Sequence, residues 1–276
     1  IVNLLFPQAV HANMAAPKDA DIASSITFEK NEVIAVKSEV LKINVHGSTS
    51  DIVAAYKMKN TSNEYVSTQS MFLSPNIETS GLSVIVNGQA VDTTVERYSL
   101  RYNTEIGIED WQYVVLSNDE SSKDRSVDTV SFEMAFEPYE EYEVVVSYVY
   151  QLGGYPDYDF NAKVGRIEYY LTPAALWKDF EKLTIHLTLD KDMPVITDSS
   201  LPFEKIADRT YQYVSDTLPS ENLTIVIDEN WFQNIFSTLR SPYLMMTVMM
   251  IVTAVGPFVL LLVAIVLLVR WIHKKQ

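Results

Sequence analysis

Three residues with side-chain oxygen atoms lie in one loop and have a spacing similar to that of the ligands in a calcium-binding loop. Asp157, Asp159 and Asn161 alternate along the chain, and Glu168 is the twelfth residue counted from Asp157. An EF-hand calcium loop has oxygen ligands at its first, third and fifth positions and a glutamate at its twelfth, but its sixth position is glycine. Here that position is Ala162, and the strand-like pattern that follows carries Glu168 away from the loop. We therefore interpret the segment as a solvated turn, with calcium binding as the open alternative.

The sequence has none of the short motifs that are typical of catalytic sites. The four histidines are His11, His46, His186 and His273; no two have the spacing of zinc ligands, and the chain has no cysteine. It has no nucleophile-elbow, phosphate-loop, dinucleotide or H-E-x-x-H motif. We predict a protein that is not an enzyme and has no cofactor or metal centre. A hydrolase with paired carboxylates remains the alternative, because such pairs assemble in space and leave no linear pattern.

Two tyrosines are the candidates for ligand binding. Tyr155 and Tyr158 lie in the segment 153–159, where glycine, proline and aspartate favour an exposed turn. Exposed tyrosines can stack on sugars or peptides. The alternative is that the tyrosines of this region fill a core.

Most of the chain before residue 230 alternates apolar and polar residues with a period of two. The pattern is clearest in 51–60, 141–151 and 182–189. This period predicts half-buried antiparallel strands. Asn87-Gly88, between two apolar runs, predicts a tight hairpin with a type I′ turn, because both residues tolerate positive φ.

The number of strands predicts the fold class. Further strands are predicted over 24–29, 33–45, 64–73, 95–102, 111–116, 127–137, 164–172, 210–215 and 223–228. We predict an all-β fold of two packed immunoglobulin-like or related β-sandwiches over 13–150 and 151–229. The segments 56–60, 71–75 and 84–88 resemble bacterial exported β-sandwich modules, in which a Y-x-x-x-N strand leads to an F-L-x-P segment and a V-x-V-N-G hairpin. This resemblance implies a fold and carries no active residues.

The last part of the chain is one long uncharged apolar run. Leu244–Val269 has no charged residue and is followed at once by the basic segment 270–276. Such a run exceeds the roughly 20 residues that cross a bilayer. We predict a transmembrane helix over 243–269 with a short cytoplasmic tail, because basic residues mark the cytoplasmic side. Tyr243 and Trp271 lie where aromatic belts occur at membrane surfaces.

An amphipathic helix is predicted over 230–242, directly before the apolar run. Its apolar residues recur at helical spacing, and they include Trp231, Phe232 and Phe236. We assign these three side chains to the membrane interface. The alternative is a helix that packs against the β-sandwich.

The N-terminus fits an exported protein. Ile1 to Phe6 is short and apolar, and Val10-His11-Ala12 has the small residues of a signal-peptidase site. We interpret residues 1–12 as a signal-peptide remnant. The alternatives are a short buried strand and the end of a first transmembrane helix.

The net charge and the lack of cysteine indicate which partners are excluded and which kind of organism the protein comes from. All 36 acidic residues and 18 of the 21 basic ones lie before Leu244, which gives this part a net charge of −18. A negative field of this size repels nucleic acid. An exported region of this length without disulfides relies on its core alone, and we take its lack of cysteine to indicate a bacterium.

Together these observations predict a single-pass protein of the plasma membrane, with its N-terminal region extracellular and its C-terminus cytoplasmic. We predict an extracellular binding or accessory protein of a bacterial cell envelope. It would act through its β-sandwiches or through a multi-pass membrane protein as partner, in addition to the lipid bilayer. The alternatives are the carboxylate-dependent hydrolase and a structural surface protein or adhesin.

Overall fold

The computed structural model describes residues 14–15, 25–26, 28, 30–100, 114–117, 126–158 and 160–274 of the 276. The predicted signal remnant lies outside these residues. The strands are β1 (Met14–Ala15), β2 (Ser25–Ile26), β3 (Ile34–His46), β4 (Thr49–Asn60), β5 (Val66–Ser74), β6 (Ile77–Val86), β7 (Gln89–Ala90), β8 (Thr94–Leu100), β9 (Leu116–Ser117), β10 (Ser126–Phe136), β11 (Glu141–Gln151), β12 (Val164–Tyr169), β13 (Leu183–Thr188), β14 (Val195–Ser199), β15 (Glu204–Ala207), β16 (Thr210–Ser215) and β17 (Leu223–Asp228). A 3-10 helical turn covers Thr172–Leu176, and the helices are α1 (Trp231–Arg240) and α2 (Pro242–Lys274).

These elements confirm the prediction of a mostly β chain with a C-terminal helix. Strands make up 51% of the chain and form three sheets. The first sheet has the order β1-β5-β10-β8-β9-β2, the second β15-β16-β13-β3-β4-β11-β6-β7, and the third β12-β17-β14. The immunoglobulin-like type that we predicted for the sandwiches is not confirmed.

One strand pair departs from the antiparallel pattern predicted for the sheets. In the described part of the chain β13 runs parallel to β3, with Leu183 opposite Glu39 and Thr188 opposite Asn44. Alternation predicts which face of a strand is buried, but it does not predict the neighbour or its direction. This pairing joins parts of the chain that are far apart in sequence.

The boundary predicted near residue 150 does not divide the strands. The eight-stranded sheet takes strands from both sides of that position, because β13 and β16 continue the sheet formed by β3, β4 and β11. The described residues up to Tyr155 and the segment Val164–Asp228 form one compact unit. Pro156–Lys163 and the chain from Glu229 onward form a second unit, which includes both helices.

The alternation of the strands explains the core. The inward residues of β4, β11 and β13 are buried as predicted: Ile52, Ala54, Tyr56, Met58, Val144, Val146, Tyr148, Tyr150, Leu183, Ile185 and Leu187. They belong to a large cluster to which all three sheets contribute, including Phe72 of β5 and Ile225 of β17. Met71 and Leu73, which alternate with Phe72, lie in a second and smaller cluster. The six-stranded sheet therefore has apolar residues on both of its faces.

The hairpin predicted at Asn87-Gly88 is confirmed. Asn87 and Gly88 have φ of 48° and 77°, and Val86 lies opposite Gln89 where β6 pairs with β7. Positive φ at both central residues is what a type I′ turn requires. Asn87 also accepts a hydrogen bond from the backbone N–H of Glu143, so the turn is tied to β11.

A buried asparagine joins two of the connections between strands. The Asn60 side chain, at the end of β4, donates to the carbonyl oxygens of Glu64 (2.7 Å) and Glu137 (3.1 Å). Its own oxygen accepts from the backbone N–H and the hydroxyl of Ser62, at 2.9 and 2.8 Å. The side chain therefore supplies hydrogen bonds for backbone groups that the adjoining strands leave unpaired.

We expect Asn60→Ala to lower the free energy of unfolding by about 2–3 kcal/mol, because the Ser62 N–H would lose its partner and the carbonyls of Glu64 and Glu137 would each lose one hydrogen bond. Thermal unfolding of the full chain in detergent, followed by circular dichroism, measures the change; the melting temperature should fall by roughly 5–10 °C. Asn63→Ala, at an exposed position of the same turn, is the matched control. Equal shifts for the two variants would contradict this role of Asn60.

Candidate functional site

The helix α2 has the length and composition of a membrane span. Pro242–Ile272 has 31 residues, its most apolar window of 18 residues has a mean hydropathy of 2.9, and none of that window is buried by the rest of the structure. At 1.5 Å per residue this stretch is about 46 Å long, compared with a hydrocarbon core of about 30 Å. The helix continues to Lys274, beyond the end of the transmembrane segment predicted at residue 269.

The two threonine hydroxyls of α2 are hydrogen-bonded within the helix. Thr247 donates to the carbonyl of Tyr243 at 2.8 Å, and Thr253 donates to that of Met249 at 2.9 Å. A hydroxyl bonded in this way needs no water, which suits a hydrocarbon environment. Pro257 lies within the helix and has no N–H to donate, so it is a point at which the helix can bend.

The helix α1 forms between two well-defined ends. Asn230 accepts from the backbone N–H of Gln233 at 3.0 Å, and the Gln233 side chain accepts from the N–H of Asn230 at 2.9 Å, which is a capping box. At the other end, Ser241 has φ −61° and ψ 122° and stops the helix. The proline that follows favours this extended conformation, so α1 and α2 are separate helices joined through one residue.

The two sides of α1 differ in chemistry and exposure. Its large apolar side chains are exposed by 39% to 69%: Trp231, Phe232, Ile235, Phe236 and Leu239. On the polar side, Ser237 is buried and donates to the carboxylate of Glu229 at 2.7 Å. The apolar face of α1 is thus exposed in the described structure. Tyr243 and Trp271, the other two predicted interface residues, are exposed as well.

The two tyrosines predicted to bind a ligand, Tyr155 and Tyr158, differ in their exposure to solvent. Tyr155 is partly buried and packs against the large core cluster, so its ring is not freely available. Tyr158 is 61% exposed and stacks on Phe160, with ring centroids 5.3 Å apart and planes at 12°. The accessible aromatic surface in this loop is therefore Tyr158 with Phe160.

The oxygen donors of the same loop are only partly covered by the described residues. Asp159 lies outside the described residues, and the backbone N–H of Asn161 donates to the carbonyl of Tyr158 at 3.0 Å, as in a tight turn. Glu168 lies in β12, paired with Thr224 of β17. Within the described ranges, no group of three or more histidine, aspartate or glutamate side chains could hold a metal ion.

A buried polar cluster, which sequence patterns did not predict, lies inside the β region. Glu39, Tyr56 and Tyr169 are all completely buried. The Tyr169 hydroxyl donates to Oε1 of Glu39 at 2.8 Å, the Tyr56 hydroxyl lies 3.2 Å from the same atom, and the two hydroxyls are 2.7 Å apart. The hydrogen bonds connect β3 and β4 of the eight-stranded sheet with β12 of the three-stranded sheet.

A β-bulge explains how a glutamate reaches this position. The pairing of β3 with β4 shifts between Val36 and Ser38, so that Lys37 is an extra residue in β3. An extra residue reverses the inward and outward positions beyond it. Glu39, opposite Tyr56, therefore points inward together with Leu41.

The surroundings of the cluster favour neutral tyrosines. Burial, with a smaller contribution from the nearby Glu39, raises the pKa of Tyr169 well above its ordinary value of 10.0. Burial likewise raises the pKa of Tyr148, although the hydrogen bond with Ser74 at 2.9 Å opposes the shift. Because its three groups are sealed from solvent, the cluster is arranged to join sheets and not to meet a substrate.

We expect Glu39→Leu to lower the free energy of unfolding by about 1–3 kcal/mol, because the hydroxyls of Tyr56 and Tyr169 would lose a buried acceptor. Combining it with Tyr56→Phe and Tyr169→Phe should recover most of that loss, since an apolar replacement of all partners removes the unsatisfied groups. Denaturant unfolding of the full chain measures both. Glu133→Leu, on the exposed side of β10, controls for the loss of a charge. A triple variant no more stable than the single one would contradict the assigned role.

The raised tyrosine pKa values predict a loss of stability in alkaline solution. Burial raises the pKa in the folded chain of Tyr148, Tyr150 and Tyr169, and burial with a hydrogen bond to Glu96 raises that of Tyr98 to about 12. The stabilisation is fully present below pH 10, the pKa of an unfolded tyrosine, and declines as the pH rises towards the folded values.

In a titration followed by tyrosinate absorbance, we expect some of the 16 tyrosines to ionise only when circular dichroism shows unfolding. Tyr148→Phe should reduce this delayed step by about one tyrosine. Tyr65→Phe, at an exposed residue, should leave it unchanged. A single step that is complete while the fold persists would contradict the prediction.

No protein-family model matches this sequence, and no curated protein is significantly similar to it. Among solved structures, a Legionella pneumophila protein for which nutrient binding has been suggested is 14% identical with a TM-score of 0.45, over 80% of this chain and 72% of that one. An M1 zinc metallopeptidase from Deinococcus radiodurans is 11% identical with a TM-score of 0.37, over 73% and 43% of the two chains. Yeast LTA4 hydrolase is 10% identical with a TM-score of 0.37, over 77% and 31%. The match spans less than half of either enzyme, and TM-scores below 0.5 establish neither a shared family nor a shared function.

Proposed function

We propose that this chain is a single-pass, membrane-anchored extracellular binding or accessory protein of a bacterial cell envelope. The observation that carries the proposal is α2: a 31-residue apolar stretch whose most apolar window is not buried by the rest of the structure, attached to a β-rich region with its own core. Exposed apolar side chains along the whole length of a helix are stable in lipid and not in water.

The distribution of charge supports the proposed orientation. The basic residues Arg270, Lys274 and Lys275 follow the apolar stretch, and no acidic residue follows Glu229. Lysine and arginine next to a membrane span favour the cytoplasmic side. The β-rich part, with its net negative charge, would then be outside the cell.

The proposed action lies outside the membrane or along the side of α2. Between Leu244 and Val269 the helix has no ionisable residue, so this stretch offers no pathway for protons or ions. Met245, Met246, Met249 and Met250 are exposed, and such flexible side chains adapt to a neighbouring helix. A multi-pass protein is the partner that this surface would suit. In the loop between β11 and β12, the stacked Tyr158 and Phe160 are the aromatic surface best placed for a ligand.

We expect external protease to remove the β region from intact bacteria that express the full chain behind a secretory leader. A tag placed after Gln276 should be protected until the cells are permeabilised, because it would be cytoplasmic. After an alkaline carbonate wash, the tagged fragment should stay with the membranes. Protection of the β region in intact cells would refute the orientation, and extraction by carbonate would refute the anchor.

A further inference from the structure

We propose that α1 lies in the plane of the membrane surface, with its apolar face between the lipid headgroups and the acyl chains. The partner of this face is the lipid bilayer on the side of the membrane from which α2 enters. The inference deepens the proposed function and rests on the anchoring of α2. It adds a second membrane contact, one that would set how the β region is held.

The length of the connection limits where α1 can be. One residue, Ser241, separates the end of α1 at Arg240 from the start of α2 at Pro242. An extended residue spans about 3.5 Å, so the last turn of α1 cannot move far from the point where α2 enters the bilayer. With ten residues, α1 is about 15 Å long, and all of it remains near the surface unless it points straight away from the membrane.

The arrangement of side chains around α1 favours lying flat. At 100° per residue, the five apolar side chains from Trp231 to Leu239 fall within an arc of about 140°. Gln233, Asn234 and Ser237 occupy the opposite side, and Thr238 lies at the edge of the apolar arc beside Trp231. A helix that pointed away from the bilayer would leave the aromatic face in water, whereas a helix in the interface buries one side and wets the other.

The charges near α1 are compatible with a bilayer surface. Arg240 is the charged residue of the helix, and the 36 acidic residues of the chain all precede Asn230. The chain therefore becomes free of negative side chains where the amphipathic helix begins. An arginine at the headgroup level is attracted to lipid phosphates, while carboxylates there would be repelled.

The helix does not depend on the β region for its ends. The capping box of Asn230 and Gln233 satisfies its first turn, and Ser237 is held by Glu229, one residue before that cap. A short helix is marginal in water on its own, so the remaining stabilisation must come from burying its apolar face. The membrane surface that α2 would cross is adjacent to this face along the chain.

The absence of cysteine makes this inference testable by single-cysteine labelling of the full chain. Ile235→Cys and Leu239→Cys report on the apolar face. Asn234→Cys is the matched control on the polar face, and Thr238→Cys is the control at the exposed edge between the two faces. Each variant is labelled with the fluorophore NBD and reconstituted into vesicles of phosphatidylcholine and phosphatidylglycerol. Iodide in the water and nitroxides at a shallow or deep position on the acyl chains serve as quenchers.

We expect NBD at positions 235 and 239 to have blue-shifted emission and to be quenched by the shallow nitroxide more strongly than by the deep one. Quenching by iodide should be several-fold greater at positions 234 and 238. Phe232→Gln combined with Phe236→Gln should abolish the lipid quenching at position 239, whereas Asn234→Gln combined with Thr238→Gln should leave it unchanged.

Two results would overturn the inference. Equal iodide quenching at all four positions would show a helix in water, and protection from iodide without quenching by lipid nitroxides would show a helix packed against protein. A probe at Leu261→Cys tests separately whether α2 spans the bilayer. If it does, the deep nitroxide must quench this probe. If Leu261→Cys is not quenched, the proposed anchoring fails, and this inference fails with it.

Discussion

The apolar surface of α2 is the constraint on which the placement of the whole chain depends. Burying a single leucine, isoleucine, valine, phenylalanine or methionine side chain contributes about 1.5–3 kcal/mol. Over the length of α2 the sum is of the order of tens of kcal/mol, whereas a folded domain is stable by only about 5–15 kcal/mol. In the proposed anchoring, burial of α2 in lipid therefore outweighs the stability of the β region, and the β region would be held at the membrane that α2 crosses.

The β region is stabilised in a different way: it has no cysteine and therefore depends on packing and hydrogen bonds in its core. Side chains of three sheets meet in its large cluster, and the sheets differ in size, with eight, six and three strands. The buried cluster of Glu39, Tyr56 and Tyr169 adds directional contacts to this core. Apolar packing alone tolerates small rotations of one sheet on another, whereas a shared carboxyl oxygen at 2.8 Å from a hydroxyl admits one arrangement.

Local features of this structure could be predicted from sequence, and non-local ones could not. The hairpin at Asn87-Gly88, the inward faces of β4 and β11 and the amphipathic α1 depend on residues within a few positions of each other. The parallel pairing of β3 with β13 depends on residues more than 140 positions apart, for which no local pattern exists. Glu39 was missed because the bulge at Lys37 reverses the alternation, and the burial of Tyr155 depends on packing against distant strands.

The position of β13 in the eight-stranded sheet has a consequence for biosynthesis. β3 lies between β4, which follows it directly, and β13, which emerges from the ribosome only after Thr188 is added. Until then, one edge of a 13-residue strand has no neighbour, and such an edge invites pairing with other chains. A chain exported from its N-terminus would therefore need this edge shielded during translocation. Truncation before β13 would produce aggregation-prone fragments and not a smaller folded protein.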